Sequence, residues 1–155
     1  MKPLTVRFLA VPKEVGELRR ALREHVGAPC ADLQLCVSEL VGNVIAHLGE
    51  GTPVTVRVYG TGGRVRVEVG DPDPRAWPLL RSVGERDESG RGLALVEAVS
   101  LRWGVLHGPG SGKTVWCELP QEAAQDGARS AAGARGRETG TAPHDPDPMP
   151  YAVRR

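Results

Sequence analysis

The sequence predicts an α/β fold of the two-layer sandwich type, with a mostly antiparallel sheet that carries its helices on one face. Valines alternate with polar residues on both sides of a Gly-rich turn at residues 61–64, which is typical of a half-buried hairpin. Two segments with helical apolar stripes precede it, at residues 12–27 and 29–47. Strands that pair with their chain neighbours and leave the helices on one side define this architecture.

The elements before the hairpin follow from periodicity and punctuation. Residues 4–10 alternate as a strand, and Pro12 suits the first turn of a helix that ends near Gly27. The following helix spans about residues 29–47. Its predicted core face repeats at spacings of three and four residues and comprises Leu33, Val37, Leu40, Val41, Val44 and Leu48.

The elements after the hairpin begin with a long segment without periodicity, residues 72–89. Loops of this length inside compact domains are usually functional or mobile. A short helix is predicted from about residue 92 to 99, followed by strands at 101–106 and 114–119.

The composition changes near Pro120. The chain has 155 residues, which fits one domain, and from residue 121 onward it contains no Leu, Ile, Phe or Trp. Such a segment buries too little apolar surface to offset the entropy of ordering. We therefore expect a folded domain over residues 1–120 and a disordered tail over residues 121–155.

Charge and cysteine content narrow the function classes. A net charge of +1 gives no strong attraction to nucleic acid or acidic membranes, so neither is an expected partner. No run approaches the roughly 20 apolar residues that span a bilayer, and the first ten residues lack a signal-peptide core. An odd set of cysteines, Cys30, Cys36 and Cys117, favours reduced thiols and a cytoplasmic location.

Three polar residues lie in one row on the second predicted helix. Glu39, Asn43 and His47 are four residues apart, so they stand one above the other beside the apolar stripe. Taken on the helix alone, an ordinary exposed helix edge is the better explanation of such a row.

Two further features carry chemistry. Asp71 ends a strand, where a carboxylate can accept a hydrogen bond from an exocyclic amine such as N6 of adenine, although Asp-Pro also begins turns. The segment Gly90-Arg91-Gly92-Leu93 opens a predicted helix, where free N–H groups and small residues suit a phosphate.

Other site types are excluded by spacing. Residues 108–114 resemble a Walker A loop, but His107 stands where that motif needs Gly, and a strand pattern follows where it needs a helix. Leu95 stands at the third glycine position of a dinucleotide fingerprint. The histidines have no metal-ligand spacing, and no nucleophile-base arrangement is evident.

Taken in order, these segments resemble the sequence boxes of bacterial anti-sigma-factor serine kinases, in their actinobacterial branch, within the GHKL group of ATP-binding proteins. The resemblance spans nearly all of residues 4–119. It is carried by the segments SELVGNVIAH at 38–47, VGDPDP at 69–74, GRGL at 90–93 and GKTVW at 112–116.

The resemblance implies the Bergerat fold, also described as the histidine kinase-like ATPase fold, with ATP and Mg²⁺ as cofactors. Asn43 would hold Mg²⁺ between phosphates, Glu39 would be the catalytic base, and residues 72–89 would form a lid. The nucleotide-binding residues that it implies are Asn43, His47, Asp71, Gly90, Arg91, Gly92, Leu93 and Thr114. The chain departs from the group at Pro72-Asp73-Pro74, where glycines are common, and at Gly42, where Thr is usual.

The resemblance also implies partners and a reaction. The chain would bind a sigma factor and phosphorylate a serine of a STAS-domain antagonist as an ATP-dependent protein serine/threonine kinase, acting as a homodimer. An alternative is a regulatory module of the same fold that sequesters a partner, with ATP structural or absent. A histidine-phosphorylating sensor kinase ranks lower, because the chain shows no dimerisation helix with a phosphoacceptor His.

Overall fold

The computed structural model describes residues 1–75, 88–107, 112–124 and 153–154, and the side chains of residues 88–92 and 153–154 are outside that description. The elements in chain order are β1 (Leu4–Ala10), α1 (Pro12–Val26), α2 (Ala31–Leu48), β2 (Thr52–Thr61), β3 (Arg64–Asp71), α3 (Glu88–Val99), β4 (Arg102–His107), β5 (Lys113–Pro120), a short 3₁₀ helix (Gln121–Ala124) and β6 (Val153–Arg154).

The strands form one sheet in the order β1-β2-β3-β5-β4-β6, and each of the five described pairings is antiparallel. The predicted fold class is therefore confirmed. The sheet follows chain order except at its centre, where β5 lies between β3 and β4. The β3–β5 register sets Asp71 opposite Lys113 and Gly70 opposite Thr114.

The core lies between the sheet and the three helices. Alternate residues of the strands face the helices because side chains along a strand point to opposite faces. Buried members of this core include Leu18 and Leu22 of α1, Leu33, Cys36, Val37, Leu40, Val41 and Val44 of α2, Val96 of α3, and Val56, Val58, Val65, Val67, Val69, Val105, Val115 and Cys117 of the sheet. All three cysteines are buried free thiols.

Helix α1 begins and ends where the sequence predicts. Pro12 occupies its first turn, where the missing N–H breaks no helical bond. Gly27 follows the last turn with φ of 73° and donates its N–H to the Arg23 carbonyl at 2.9 Å. A left-handed residue of this kind is the common helix stop that glycine adopts without a steric penalty.

Helix α3 begins four residues before the predicted start at residue 92, at Glu88. The segment Gly90–Leu93 therefore lies within the helix, and the predicted loop over 72–89 loses its last two residues to it. Asp87, immediately before Glu88, is a residue type that favours a helix N-cap, but Gly90 and Gly92 are poor interior helix residues and pointed to a later start. The other predicted loop residues, 76–87, lie outside the described residues.

Ordered structure continues past the predicted boundary at Pro120. Residues Gln121–Ala124 form the 3₁₀ helix, which contacts α2, β3 and β5, and its Ala123 is buried. A small side chain fills this site, so the absence of large apolar residues did not reveal it. Val153 and Arg154 pair with β4. The remainder of the predicted tail, residues 125–152, lies outside the described residues.

The sheet face away from the helices carries a buried charge cluster. Glu118 accepts hydrogen bonds from Arg102 at 2.7 Å, Arg64 at 3.1 Å and Arg66 at 3.2 Å. The Arg66 guanidinium also lies 4.1 Å from the ring centroid of Trp116. Burial alone would raise the pKa of the Glu118 carboxyl, but the three arginine hydrogen bonds outweigh it, so this pKa lies below its usual value.

Within the described residues, no helix is both long and apolar enough to cross a membrane.

We expect Glu118→Gln to lower the free energy of unfolding by about 2–4 kcal/mol at pH 7, because it removes the buried anion that Arg64, Arg66 and Arg102 share. A carboxyl whose pKa is lowered by folding stabilises the protein above its unfolded pKa. The difference from wild type should therefore shrink as the pH falls below about 4. Urea unfolding at pH 7 and at pH 3.5 measures both effects.

Glu17→Gln is the matched control, since Glu17 pairs with Arg20 on the exposed surface of α1. Exposed pairs contribute about 0–1 kcal/mol. An equal effect of the two substitutions on the free energy of unfolding at pH 7 would contradict the expectation that the Glu118 cluster stabilises the fold.

Candidate functional site

The three residues of the predicted row on α2 differ in how deeply they are buried. Asn43 is 6% exposed, Glu39 is partly buried and His47 is exposed. The middle residue of the row, Asn43, is therefore the buried one, and the row ends at the surface with His47. A side chain added at Gly42 would meet nothing within 4 Å, so the helix itself does not require glycine there.

Asp71 is the last residue of β3 and is 7% exposed. It lies on the sheet face that α2 covers, because it alternates in step with the core residues Val67 and Val69. One carboxylate oxygen, Oδ1, accepts the Asp73 N–H at 2.8 Å and the Lys113 ammonium at 3.1 Å. The other oxygen, Oδ2, is buried and has no hydrogen-bond partner among the described residues.

Lys113 faces Asp71 from the first position of β5. Both side chains of this ion pair are 0% exposed, and the lysine ammonium also donates to the Asp73 carbonyl at 3.1 Å. Burial raises the pKa of Asp71 against the opposing hydrogen bonds from Asp73 and Lys113, and burial lowers the pKa of Lys113. Burial thus favours the neutral form of each group, and the contact between them opposes that effect.

Residues 72–75, the described part of the segment after Asp71, have no spare backbone donor. Pro72 and Pro74 have no N–H. The Asp73 N–H binds Asp71 Oδ1, and the Arg75 N–H binds Asp73 Oδ1 at 2.9 Å. The Arg75 guanidinium also holds the Asp73 carboxylate, and these hydrogen bonds bring its pKa well below the usual range. An anion bound here would therefore need backbone donors from outside residues 72–75.

Thr114 lies on the opposite face of the sheet from the Asp71 side chain. It pairs with Gly70, and a Cβ on Gly70 would lie 3.6 Å from the Thr114 hydroxyl. The residue that shares a face with Asp71 is Lys113, which sequence reasoning did not assign to the site. Only the β3–β5 register identifies Lys113 as the partner of Asp71, because strand alternation alone does not say which residue of β5 faces Asp71.

The segment Gly90–Leu93 occupies the first turns of α3, which packs against α2. Leu93 is buried in the core, while the side chains of residues 90–92 are outside the described part of the chain. The first N–H groups of a helix have no partner within it. The N-terminus of α3 thus supplies donors that the segment after Asp71 lacks.

Gly112 allows β5 to begin beside Asp71. Its φ is 98°, a backbone conformation that side chains rarely adopt, and a Cβ would lie 2.5 Å from the Asp71 carbonyl oxygen. Residues 108–111, which complete the Walker-like segment, lie outside the described residues. Residues Lys113–Pro120 form a strand and not the helix that follows a Walker A loop, which confirms that this segment is not a Walker A motif.

A groove of about 610 Å³ opens at the same end of the sheet. Its lining includes Arg7, Thr55, Gly70 and Thr114, which the registers place side by side on the helix-free face. The lining also includes Asp71 and Lys113 but none of the row residues of α2, so the groove touches the predicted site at the strand ends and not at the helix.

In the described part of the chain, no cluster of three or more His, Cys, Asp or Glu residues could hold a metal ion. Mg²⁺ commonly takes one or two protein ligands and completes its shell with phosphate oxygens and waters. The side-chain oxygen of Asn43 fits that smaller requirement.

Comparisons with known proteins agree with this fold. The profile of the histidine kinase-like ATPase domain matches residues 8–118, which is well over half of the chain, so the chain belongs to that family. An uncharacterized protein of Streptomyces coelicolor (strain ATCC BAA-471 / A3(2) / M145) is 47% identical over 98 residues, which cover 62% of this chain and 92% of that protein.

Among solved structures, the histidine kinase domain of the Erythrobacter litoralis EL346 blue-light activated histidine kinase is 17% identical, with a TM-score of 0.46. The match covers 73% of this chain and 62% of that structure. A likeness at this level carries no argument about the activity of this chain.

We expect Gly112→Ala to lower the free energy of unfolding by about 1–3 kcal/mol, because it forces a side chain into a left-handed conformation against the Asp71 carbonyl. Gly16→Ala is the control: a Cβ there meets nothing within 4 Å, and alanine inside a helix is better than glycine by about 0.5–1 kcal/mol. Urea denaturation should show opposite signs for the two variants. A neutral Gly112→Ala would contradict the close approach.

Proposed function

We propose that this chain is an ATP-dependent protein serine kinase of the anti-sigma-factor type. Membership of the histidine kinase-like ATPase domain family indicates ATP binding. The observation that carries the proposal is the Asp71 carboxylate, which is buried on the α2 face with Oδ2 unpartnered among the described residues. A buried acceptor without a partner is costly, and a ligand donor would remove that cost.

The exocyclic amine of adenine is a suitable donor for Asp71 Oδ2, since a carboxylate accepts N–H bonds and an amine on a purine ring can supply one. Helix α2 packs directly against β3 and α3. In the proposed site, Asn43, Asp71 and the N-terminus of α3 would border one region, with the adenine at the Asp71 end and the phosphates toward α3.

The remaining chemistry is assigned to α2. Asn43 would be the protein ligand of Mg²⁺, which neutralises phosphate charge when bound. Glu39, one turn earlier and partly buried, would take the proton from the serine hydroxyl that attacks the terminal phosphate. Exposed His47 would lie at the outer end of the same row.

The proposed partners are a sigma factor and a STAS-domain antagonist that supplies the serine, with the kinase acting as a homodimer. These assignments rest on the four sequence boxes at residues 38–47, 69–74, 90–93 and 112–116.

A second candidate, a regulatory binding module in which ATP is structural or absent, is favoured by one observation. Residues 72–75 offer no free backbone N–H to a nucleotide, because two are prolines and the other two N–H groups bind Asp71 and Asp73. Phosphotransfer to a STAS-domain partner, measured beside Mg-ATP binding, separates the candidates.

We expect Asp71→Asn to weaken Mg-ATP binding by about tenfold to a hundredfold, the contribution of a hydrogen bond to a charged group. Isothermal titration calorimetry measures the change, with thermal unfolding as a check on folding. Asp32→Asn, at an exposed position in the first turn of α2, is the matched control and should bind as wild type does. Equal binding by the two variants would remove Asp71 from the site.

We expect Glu39→Gln to lower phosphotransfer to a STAS-domain protein by about 10²–10⁴-fold, the range for loss of a general base. Mg-ATP affinity should change little, because Glu39 is assigned no contact with the nucleotide. Glu50→Gln, at an exposed position after α2, should leave both quantities unchanged. A kinase that works without the Glu39 carboxylate would refute the assigned role, and wild type that binds ATP without transfer would favour the binding module.

A further inference from the structure

Lys113 is an unusual residue for a protein core. Its side chain is 0% exposed and lies at the start of β5 against a carboxylate that is equally buried. An ammonium group in such a place is costly unless it is paired and hydrogen-bonded. A hydrophobic residue would extend the core at this position without that cost, so the pair calls for a role beyond packing.

The contacts of Lys113 decide how the Asp71 carboxylate is presented. The ammonium group and the Asp73 N–H both bind Oδ1, at 3.1 Å and 2.8 Å. Two donors on one oxygen fix the rotation of the carboxylate about its Cβ–Cγ bond. Oδ2 is thereby turned to the side where the described residues provide no donor.

The same contacts also help to keep the carboxylate charged. Burial raises the pKa of Asp71, and the hydrogen bonds from Asp73 and Lys113 oppose that effect, as does the positive charge of the lysine. The charged residues that act on Asp71 from the described part of the chain are Lys113 on β5 and Asp73 on its own segment, and the charge of Asp73 acts in the opposite sense.

Backbone features of β3, β5 and the residues beside them fix the position of Lys113. The Asp71–Lys113 register sits at the end of the β3–β5 pairing. Gly112 brings the preceding backbone so close that a Cβ would lie 2.5 Å from the Asp71 carbonyl oxygen. Lys113 is also tied to the Asp73 carbonyl, so the lysine joins β5 to both acidic residues.

We propose that Lys113 is a positioning residue for base recognition: it holds Asp71 with Oδ2 turned toward the ligand and thereby sets a preference for a purine with an exocyclic amine. This inference rests on the proposed nucleotide site. It adds a residue that neither the sequence motifs nor the family match assigns.

The preference follows from donor and acceptor chemistry. The amine at position 6 of adenine donates to a carboxylate oxygen, whereas the oxygen at position 6 of hypoxanthine is itself an acceptor and repels it. Without Lys113, the carboxylate can rotate, and its burial favours the protonated form. A protonated carboxyl donates a hydrogen bond and therefore tolerates the oxygen of hypoxanthine.

The experiment compares binding of Mg-ATP and Mg-ITP to the full chain by calorimetry. ITP carries oxygen in place of the amine and keeps the same triphosphate. We expect wild type to prefer ATP by about tenfold or more, and Lys113→Met to reduce that preference to about threefold or less. Lys113→Arg retains a cation and should restore part of the preference. A residue that only stabilises the fold would change the affinities for both nucleotides together.

Lys13→Met, at an exposed position in the first turn of α1, is the matched control and should keep the wild-type preference. Because Lys113→Met leaves Asp71 buried without its cation, Lys113→Arg provides the second test if Lys113→Met does not fold. Thermal unfolding reports whether each variant is folded.

Two results overturn the inference while leaving the proposed function intact. One is a Lys113→Met variant with the wild-type preference. The other is tighter ATP binding by that variant, which would mean that the lysine competes with the base for Asp71. Wild type that binds neither nucleotide would overturn both the inference and the proposed site.

Discussion

The register between β3 and β5 is the constraint on which the rest of the structure depends. It sets Val69 opposite Val115 and Asp71 opposite Lys113 on the face that the helices cover. A slip of one residue would move every one of these side chains to the other face. The valines stabilise this register, since a slip would expose them to solvent. The Asp71–Lys113 pair, at the end of the same ladder, is therefore held on the buried face.

Each face of the sheet carries a buried carboxylate, and the two carboxylates differ in how their oxygens are hydrogen-bonded. On the helix-free face, the two oxygens of Glu118 are satisfied by three arginines, so the cluster is complete within the chain. On the helix face, Asp71 is satisfied at Oδ1 and left open at Oδ2 among the described residues. The first arrangement is what structure alone requires, whereas the second has an acceptor to spare for a ligand.

Local sequence signals predicted most of the fold. The valine alternation located β2 and β3, and Pro12 and Gly27 marked the ends of α1, because these signals depend on residues close together in the chain. The start of α3 at Glu88 was missed, since glycines within its first turn concealed a helix that packs on α2.

The site was predictable only in part, for the same reason. Glu39 and Asn43 share a helix face that spacing reveals, and the strand-end position of Asp71 was readable as well. The meeting of Asp71 with Lys113 joins positions 42 residues apart, and nothing local indicates it. The choice between Lys113 and Thr114 likewise depends on a register that is set by long-range packing.

The long-range pairing of β3 with β5 also affects how the chain folds. The strands β2 and β3 form one hairpin from adjacent segments, and β4 and β5 form another. Each can close over a short distance, at a small entropic cost. Joining β3 to β5 closes a loop that contains α3 and is the costly, non-local step, so we expect the two hairpins to form early and their union to limit the folding rate. The Asp71–Lys113 pair then forms only when β3 and β5 join, so a partly folded chain would lack the proposed nucleotide site.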